Sequence, residues 1–549
     1  MKTGGQLIVE ALAANGVERL FCVPGESYLA VLDALYDADI AVTVCRAEGG
    51  AAMMAETWGK LTGRPGICFV TRGPGATNAS PGLHIAMQDS TPMILFVGQV
   101  ARDAREREAF QEVEYRRHFA DMAKWVAEID DPARIPEFIT RAFAVATSGR
   151  PGPVVLALPE DMLVQQAEAP APQAWQPVET APSPAAMKKL AELLETAKKP
   201  FMILGGSRWS PQAVACITRF AEAWEMPVGC SFRRQMLFDH LHPNYAGDVG
   251  IGINPALAER VRQADLLLLV GGRFGEMPSS GYTLMEIPYP RQMLVHVHPD
   301  PEELGRVYRP TLAINAAPDA FAEAVSVLTP IGPLPWSGEA AAAHASYLKW
   351  SIPPETGPGA VAMGPVMAWL EANLPEDAIM TNGAGNYATW LHRFHRFRRY
   401  GTQAAPTSGS MGYGLPAAVA AKALHPERMV VCFAGDGCFL MNGQDFATAV
   451  QYGWPIIVLV INNGMYGTIR MHQEREYPGR ISATALTNPD FAALARAYGG
   501  HGETVEKTQD FGPAFERARA SGRPAIIEIR LDPEAITPAR TLTDIREKR

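Results

Sequence analysis

Val430-Val431-Cys432-Phe433-Ala434-Gly435-Asp436-Gly437 is an apolar run stopped abruptly by glycines, and 24 residues later, after Cys438 through Ile461, comes Asn462-Asn463. The run reads as a buried parallel strand, with Asp436 where the strand ends. Gly443 to Tyr452 has helical composition, and Ile456 to Ile461 is a second apolar run that stops at the asparagines. Two strand ends separated by a helix make a βαβ crossover, so the fold class is α/β. In open α/β sheets, ligands bind outside the carboxyl ends of the strands. One carboxylate and one amide oxygen there are hard ligands that suit Mg²⁺ or Ca²⁺, and Mg²⁺ is commonly held by one or two carboxylates plus substrate phosphates. Gly435 and Gly437 leave room for backbone to approach a diphosphate, and a helix starting just after Gly437 would add N–H donors. A lone Gly-Asp-Gly is most often only a turn; the spacing and the two apolar runs make this one specific.

Working outward, residues 1 to about 165 read as a first α/β unit. Strands are expected at Arg19–Val23, Ala41–Cys45, Gly66–Thr71, Met93–Gly98 and Val154–Leu158, with helices at Gln6–Asn15, Tyr28–Tyr36 and Gly49–Leu61, and another running to Gln88. The densely charged Arg102–Arg117 stretch reads as a loop plus a solvated helix. Residues 166–190 are Pro/Ala-rich and lack periodicity, as a linker does. A second unit spans 191–330, with strands at Phe201–Leu204, Pro227–Cys230, Leu266–Val270 and Met293–His298. A Pro/Gly-rich linker follows at Pro330–Pro358. The third unit, 359–535, holds the opening motif, and 536–549 is a polar tail, loose or folded over a site entrance. The expectation is three doubly wound parallel-sheet domains.

At 549 residues, 47% hydrophobic and 19% charged, the chain has the composition of a large, well-buried α/β protein. The net charge of −9 comes with no basic tract, which argues against nucleic acid as a partner. No run reaches the length of a membrane span, and Met1–Leu20 does not read as a signal peptide. Seven scattered cysteines without a Cys-x-x-Cys suggest reduced thiols and a cytoplasmic setting. Glu48 follows a strand and precedes a helix of Ala, Gly and Met; taken alone it fits a first-turn acid favoured by the helix dipole.

The Gly-Asp-Gly…Asn-Asn pattern resembles the diphosphate-binding motif of thiamine diphosphate (ThDP) enzymes. Arg46-Ala47-Glu48-Gly49-Gly50-Ala51-Ala52, Thr71-Arg72-Gly73-Pro74-Gly75-Ala76-Thr77-Asn78, Ala109-Phe110-Gln111-Glu112, Lys124-Trp125, Ser148-Gly149-Arg150-Pro151-Gly152-Pro153 and Ser408-Gly409-Ser410-Met411-Gly412-Tyr413-Gly414 extend the likeness. Together they resemble acetolactate synthase and its relatives over about residues 4 to 532. By that resemblance Glu48 hydrogen-bonds the aminopyrimidine ring of ThDP, so that its exocyclic nitrogen can take the thiazolium proton. Met411 props the cofactor bent, the Gly409 carbonyl accepts from the exocyclic amine, and Asp436, Asn463 and the Met465 carbonyl hold Mg²⁺. Pro24, Gly73, Asn78, Asn386, Gly435, Gly437, Tyr466 and Gly467 are the other expected cofactor contacts. The family places the cofactor between subunits, which implies a homodimer or homotetramer with Glu48 and Asp436 from different chains. The implied reaction is decarboxylation and/or carboligation of a 2-keto acid or related carbonyl. The rivals are a C–C lyase or hydrolase acting on a diketone or acyl-CoA, and a noncatalytic paralogue.

The substrate side departs from the synthase pattern. Ala47 stands where His is usual, Pro24-Gly25-Glu26-Ser27 brings a carboxylate beside the centre, and His472 replaces a pocket Trp. Phe110 and Gln111 match the synthase pocket. Glu26, Gln111, Phe110, His84 and His472 are therefore candidate substrate contacts, the histidines as shuttles near neutral pH. The middle unit has the layout of a domain that binds flavin adenine dinucleotide (FAD) in the synthase. The sequence after Arg273, Gly275-Glu276-Met277-Pro278, departs from that domain, so FAD remains possible in layout but is not expected.

Overall fold

Strands β1 (Arg19–Cys22), β2 (Ala41–Val44), β3 (Gly66–Val70), β4 (Met93–Gln99), β5 (Trp125–Glu128) and β6 (Pro153–Pro159) form the first of three six-stranded sheets, in the order 2-1-3-4-6-5. The second holds β7 (Pro200–Leu204), β8 (Val228–Ser231), β9 (Tyr245–Val249), β10 (Leu266–Val270), β11 (Met293–His298) and β12 (Leu312–Asn315), in the order 9-8-7-10-11-12. The third holds β13 (Ile379–Asn382), β14 (Gln403–Ala404), β15 (Val430–Gly435), β16 (Ile457–Asn462), β17 (His501–Val505) and β18 (Ala525–Arg530), in the order 14-13-15-16-18-17. This is a computed structural model, and it describes residues 1–548. Every pair within the three sheets is parallel, as expected of doubly wound α/β units. The central strands are apolar and buried along their whole length, because helices cover both faces.

Several expectations need correction. The edge strands β5, β9 and β12 were not among the expected strands; each carries a polar or charged residue that breaks the apolar run, and β5 and β12 are only partly buried. The 330–358 linker contains a helix, Glu339–Trp350, whose Ala340, Ala343 and Tyr347 are buried. The 166–190 stretch is anchored at both ends: Gln166–Ala167 pairs antiparallel with Lys2–Thr3, and the Pro184–Thr196 helix begins inside it. The segment up to Gln88 is two helices, Pro74–Asn78 and Ser80–Asp89. The short Tyr115–His118 helix is not simply solvated, since Tyr115 is buried and its hydroxyl accepts from the Gly73 amide at 2.9 Å. The tail is not without core: it holds a helix, Leu542–Arg546, whose Leu542 and Ile545 pack with Ile536 and Met465.

The first and third units share one core, which joins Phe21, Met54 and Leu83 to Ala418, Phe446 and Val458. The Glu48–Thr62 helix lies at that junction. Its small residues allow close approach: a Cβ on Gly82 of the neighbouring helix would stand 2.4 Å from Ala52 Cβ, and one on Gly59 would stand 2.2 Å from the Pro92 carbonyl. Toward its end the helix carries a buried polar cluster. Lys60 Nζ donates to Asp89 at 2.6 Å, to Tyr413 Oη at 3.1 Å and to the Ala405 carbonyl at 3.2 Å, and lies 3.2 Å from Glu56. Tyr413 donates to Glu56 at 2.6 Å, and Thr407 Oγ1 to Asp89 at 2.6 Å. Arg234 of the middle unit donates to the Asp89 carbonyl at 3.1 Å. Burial alone would raise the Asp89 carboxyl, but Lys60 and Arg234 hold it below the ordinary range.

Removing one member of this cluster strands charges in a dry interior. We expect Lys60→Ala to destabilise the fold by about 3–5 kcal/mol, the usual cost of breaking a buried ion pair from one side. Denaturant unfolding checks this; loss of less than about 1 kcal/mol would mean that the cluster is wet in solution.

Candidate active site

In an open parallel sheet, the strand order reverses at a switch point, and the crevice beyond the strand ends there is the natural ligand site. In the first sheet the reversal lies between β1 and β3. Pro24 and Glu26 follow β1, and Gly73 and Asn78 follow β3. Ser27 and Thr71 fasten the two loops, their hydroxyls 2.8 Å apart. Gly25 packs so tightly on Thr71 that a Cβ would stand 2.4 Å from Thr71 Cβ. Half-buried Glu48 begins the helix that follows β2, and its Oε2 accepts from Asn78 Nδ2 at 3.2 Å. A Cβ on Gly75 would lie 3.4 Å from the other oxygen, Oε1.

Gln111 closes against this loop. Its Cβ lies 2.7 Å from where a Cβ on Gly73 would stand, and its φ of 66° is unusual for a residue with a side chain. The loop around it is tied down by Arg105, which pairs with Glu112 and Glu114 at 3.2 Å each and with Glu128. Phe110 beside it is 73% exposed. Glu26 points outward, 3.6 Å from Arg72. His84 sits on the exposed side of the Ser80–Asp89 helix. Glu48, Asn78, Gly73 and Gln111 therefore form one cluster, with Glu26 at its rim and His84 outside it.

The third sheet repeats the arrangement. Its reversal lies between β13 and β15, so Gly383–Asn386 and Asp436 share one switch point. Asn462 and Asn463 follow on the adjacent strand, paired in register with β15. The helix begins at Asp436 itself rather than after Gly437, and spans Asp436–Leu440. The expected helix at Gly443–Tyr452 is a 3₁₀ turn, Gly443–Asp445, followed by a short helix, Phe446–Gln451. Gly435 and Gly437 also make room within the chain itself. Aromatic rings occupy the places of their absent side chains: Tyr387 at 2.8 Å from a Cβ on Gly435, and Tyr466 at 2.6 Å from one on Gly437.

Asp436 is 3% exposed and has no cationic side chain within ion-pairing distance among the described residues. Its Oδ1 accepts from the Gly437 amide at 2.8 Å, and its Oδ2 from the Gly464 amide at 2.9 Å and from Asn488 Nδ2 at 2.7 Å. Burial still pushes its carboxyl above the ordinary value, and these donors oppose the shift. A buried carboxylate without a cationic partner, beside neutral oxygens, is what a divalent cation would complete. No cluster of three or more His, Cys, Asp or Glu that could hold a metal occurs among the described residues. The available donors are thus Asp436, the Asn463 side chain and backbone carbonyls such as that of Met465. With so few protein ligands, Mg²⁺ keeps room for a diphosphate, so the residues present fit the metal and the cofactor together. Sequence reading missed Asn488 and Tyr387. Asn488-Pro489-Asp490 reads only as a turn before a helix, and Asp490 indeed caps the Phe491–Ala497 helix.

A cavity of about 1200 Å³ opens between the middle and third units. Asn386, Ser408, Gly409, Thr468, Met471 and His472 line one wall, and Arg233, Asp248, Arg273 and Phe274 the other; none of Glu48, Asn78, Phe110 or Gln111 reaches it. Met411 is half-buried and packs on the third unit's core. Thr537–Arg540 of the tail closes part of the rim. The tail is latched there: Arg546 donates to Glu474 at 2.8 and 3.0 Å, and Arg470 donates to the same carboxylate at 2.9 Å. Ile536 meets Gly467, where a Cβ would come within 2.8 Å.

The Arg546 bonds, with Arg470 and the Gly479 amide, push the Glu474 carboxyl down from 4.5 to about 2. A depressed carboxylate stabilises the latch above its unfolded value and loses that contribution as pH falls toward the folded one. We expect the tail to loosen between pH 4.5 and about 2, and Arg546→Ala to loosen it at neutral pH. Limited carboxypeptidase digestion checks both; equal resistance of the variant and the parent would show that the apolar contacts alone hold the tail.

Comparison with known proteins matches all three units. Residues 2–118 match the model described as "Thiamine pyrophosphate enzyme, N-terminal TPP binding domain", residues 187–325 its central domain, and residues 383–529 its C-terminal TPP binding domain. The chain is 32% identical over 537 residues to the acetolactate synthase isozyme 2 large subunit of Escherichia coli (strain K12), covering 96% of this chain and 95% of that one. It is 30% identical to the acetolactate synthase large subunit of Parasynechococcus marenigrum (strain WH8102), covering 96% of this chain and 87% of that one. It is 31% identical to the probable acetolactate synthase large subunit of Methanocaldococcus jannaschii, covering 97% and 93%.

Proposed function

Since the chain belongs to the thiamine diphosphate enzymes, in their acetolactate synthase-like branch, we propose that it decarboxylates a 2-keto acid and can pass the resulting acyl-carbanion equivalent to a second carbonyl. The observation that carries this reading is the pair of half-sites at equivalent switch points, one presenting Glu48 and the other the buried, cation-free Asp436. Asp436, Asn463 and the Met465 carbonyl would hold Mg²⁺, and Mg²⁺ would hold the diphosphate. Gly409, Met411 and Asn386 would seat the rest of the cofactor. ThDP supplies an electron sink for the carbon–carbon bond change. The chain's own part is to place Glu48 where it can hold and release a proton at the aminopyrimidine ring, with Asn78 fixing one carboxylate oxygen and leaving the other free.

Glu48 and Asp436 would act together only across two subunits, so an isologous homodimer, alone or within a tetramer, is part of the proposal. Exposed apolar side chains beside each half-site support it: Phe110 at 73%, Leu440 at 44% and Met441 at 47% exposed. The arginine-bearing cavity supports entry of an anionic substrate there, past His472 and under the tail. Among the described residues, no helix is long and apolar enough to cross a membrane. All seven cysteines are unpaired and buried, which supports a reducing, cytoplasmic compartment.

The deciding experiment is a panel of 2-keto acids of graded chain length, with and without acceptor aldehydes, incubated with ThDP and Mg²⁺ and read by mass spectrometry. Consumption of none of them would remove the proposal. On a working substrate, Glu48→Gln should still bind ThDP and turn over about 10²–10⁴-fold more slowly, the usual worth of acid–base help. Full activity in that variant would take Glu48 out of the mechanism. The purified protein should carry no stoichiometric flavin; a visible flavin band that survives gel filtration at one per chain would overturn that expectation.

A further inference from the structure

Asn488 stands 25 residues beyond Asn463, in the loop ahead of the Phe491–Ala497 helix. Its amide nitrogen donates to two acceptors at once, Asp436 Oδ2 at 2.7 Å and Asn462 Oδ1 at 2.8 Å. An amide nitrogen carries two protons, and both are used here. The orientation is fixed by the chemistry of its partners, because both are oxygens that only accept. The amide oxygen, Oδ1, is buried and has no hydrogen-bond partner. An orphaned buried carbonyl costs about 1–3 kcal/mol, so the donated pair must outweigh that cost.

The geometry explains what the pair achieves. Asp436 and Asn462 sit at the ends of adjacent strands, β15 and β16. The Asp436 carboxylate takes backbone amides from Gly437 and from Gly464. Asn488 is the only side-chain donor to it among the described residues, and it belongs to neither strand. Asn462 is held further by donating from its own Nδ2 to Glu528 at 2.7 Å and by accepting from the Gly464 amide at 3.2 Å. One amide therefore clamps the carboxylate of one strand end to the turn of the next. Asn463, the following residue, keeps a side chain with no hydrogen bond among the described residues, free for another partner.

We infer that Asn488 is a positioning residue of the metal–diphosphate site, fixing Asp436 and the Asn462-Asn463 turn at the separation a divalent cation requires. This rests on the reading that Asp436 and Asn463 hold that cation. Asn488 itself touches neither cation nor substrate; it acts through Asp436. Its effect should fall on cofactor binding rather than on turnover once the cofactor is bound.

The test uses the full chain and two variants. Asn488→Ala removes the clamp, and Asn488→Asp keeps its volume while setting a second carboxylate against the first. Calorimetric titration with ThDP at fixed Mg²⁺, Mn²⁺ binding by electron paramagnetic resonance, and melting with and without cofactor are the readouts. Asn488→Ala should weaken metal-dependent ThDP binding about 10- to 100-fold, the worth of a hydrogen bond to a charged group, with kcat at saturating cofactor near the parent value. Asn488→Asp should melt lower than the parent without metal and recover when Mg²⁺ and ThDP are added, because the cation relieves the like-charge contact. Unchanged affinity in both variants would overturn the inference. So would an equal loss of melting temperature with and without cofactor, which would mark Asn488 as merely structural. Asp436→Ala, expected to abolish binding, is the reference. A parent chain that binds no ThDP with Mg²⁺ removes the underlying reading and this inference together, and that result appears before any variant is compared.

Discussion

The buried ion pairs at the foot of the Glu48–Thr62 helix set the geometry on which the rest depends. Lys60, Glu56, Asp89 and Tyr413 bring one charged cluster together from the first and third units, and Arg234 reaches it from the middle one. Such a cluster contributes little net stability compared with apolar packing, but it tolerates no sliding, because every partner has a fixed direction. The helix that carries it at one end carries Glu48 at the other. The acid's end is thereby referred to the third unit's frame through three turns of helix, and also directly, where Arg46 donates to Gln451 at 2.6 Å and Gly50 lies against Asp445.

The same constraint gives meaning to the matching sheets. The first and third units have one strand order, 2-1-3-4-6-5, whereas the middle unit has its strands in the order 3-2-1-4-5-6. Equal orders put the switch points of the two outer units at equivalent places, and each has filled its crevice with different chemistry. One offers the half-buried Glu48 carboxylate, held by an amide. The other offers a carboxylate buried among backbone amides. The sequences of the two units do not display this kinship, because the shared part is topology, which hydrophobic runs encode without any residue identity.

What could be read from sequence follows from that. Most central strands announced themselves as unbroken apolar runs, although Ile379–Asn382 and Ala525–Arg530 of the third sheet were not among the expected ones; the Gly-Asp-Gly and Asn-Asn strand ends could be placed on adjacent strands from spacing alone. Edge strands such as Trp125–Glu128 and Leu312–Asn315 were missed, since half-solvated strands carry mixed residues. The glycines of the motif were recognised, but the rings of Tyr387 and Tyr466 that lie against them were not, because that contact is made by distant chain. Asn488 left no local signal either, since its role lies in two hydrogen bonds to residues far away in sequence. The tail was judged by composition, and composition hides the fact that Leu542 and Ile545, three apart, make one buried face.

That last feature reaches into how the protein can be handled. Ile536 rests against Gly467, and the Leu542–Arg546 helix is pinned to the helix carrying His472, so the chain's end belongs to the wall of the cavity. The opposite terminus is different: Met1 is 80% exposed, and its nearest structure is a two-residue strand pairing with Gln166–Ala167. A label, tether or fusion partner joined ahead of Met1 would hang in solvent. One joined at the other end would load the strap directly, so immobilising the protein there would strain the cavity rim that Thr537–Arg540 forms.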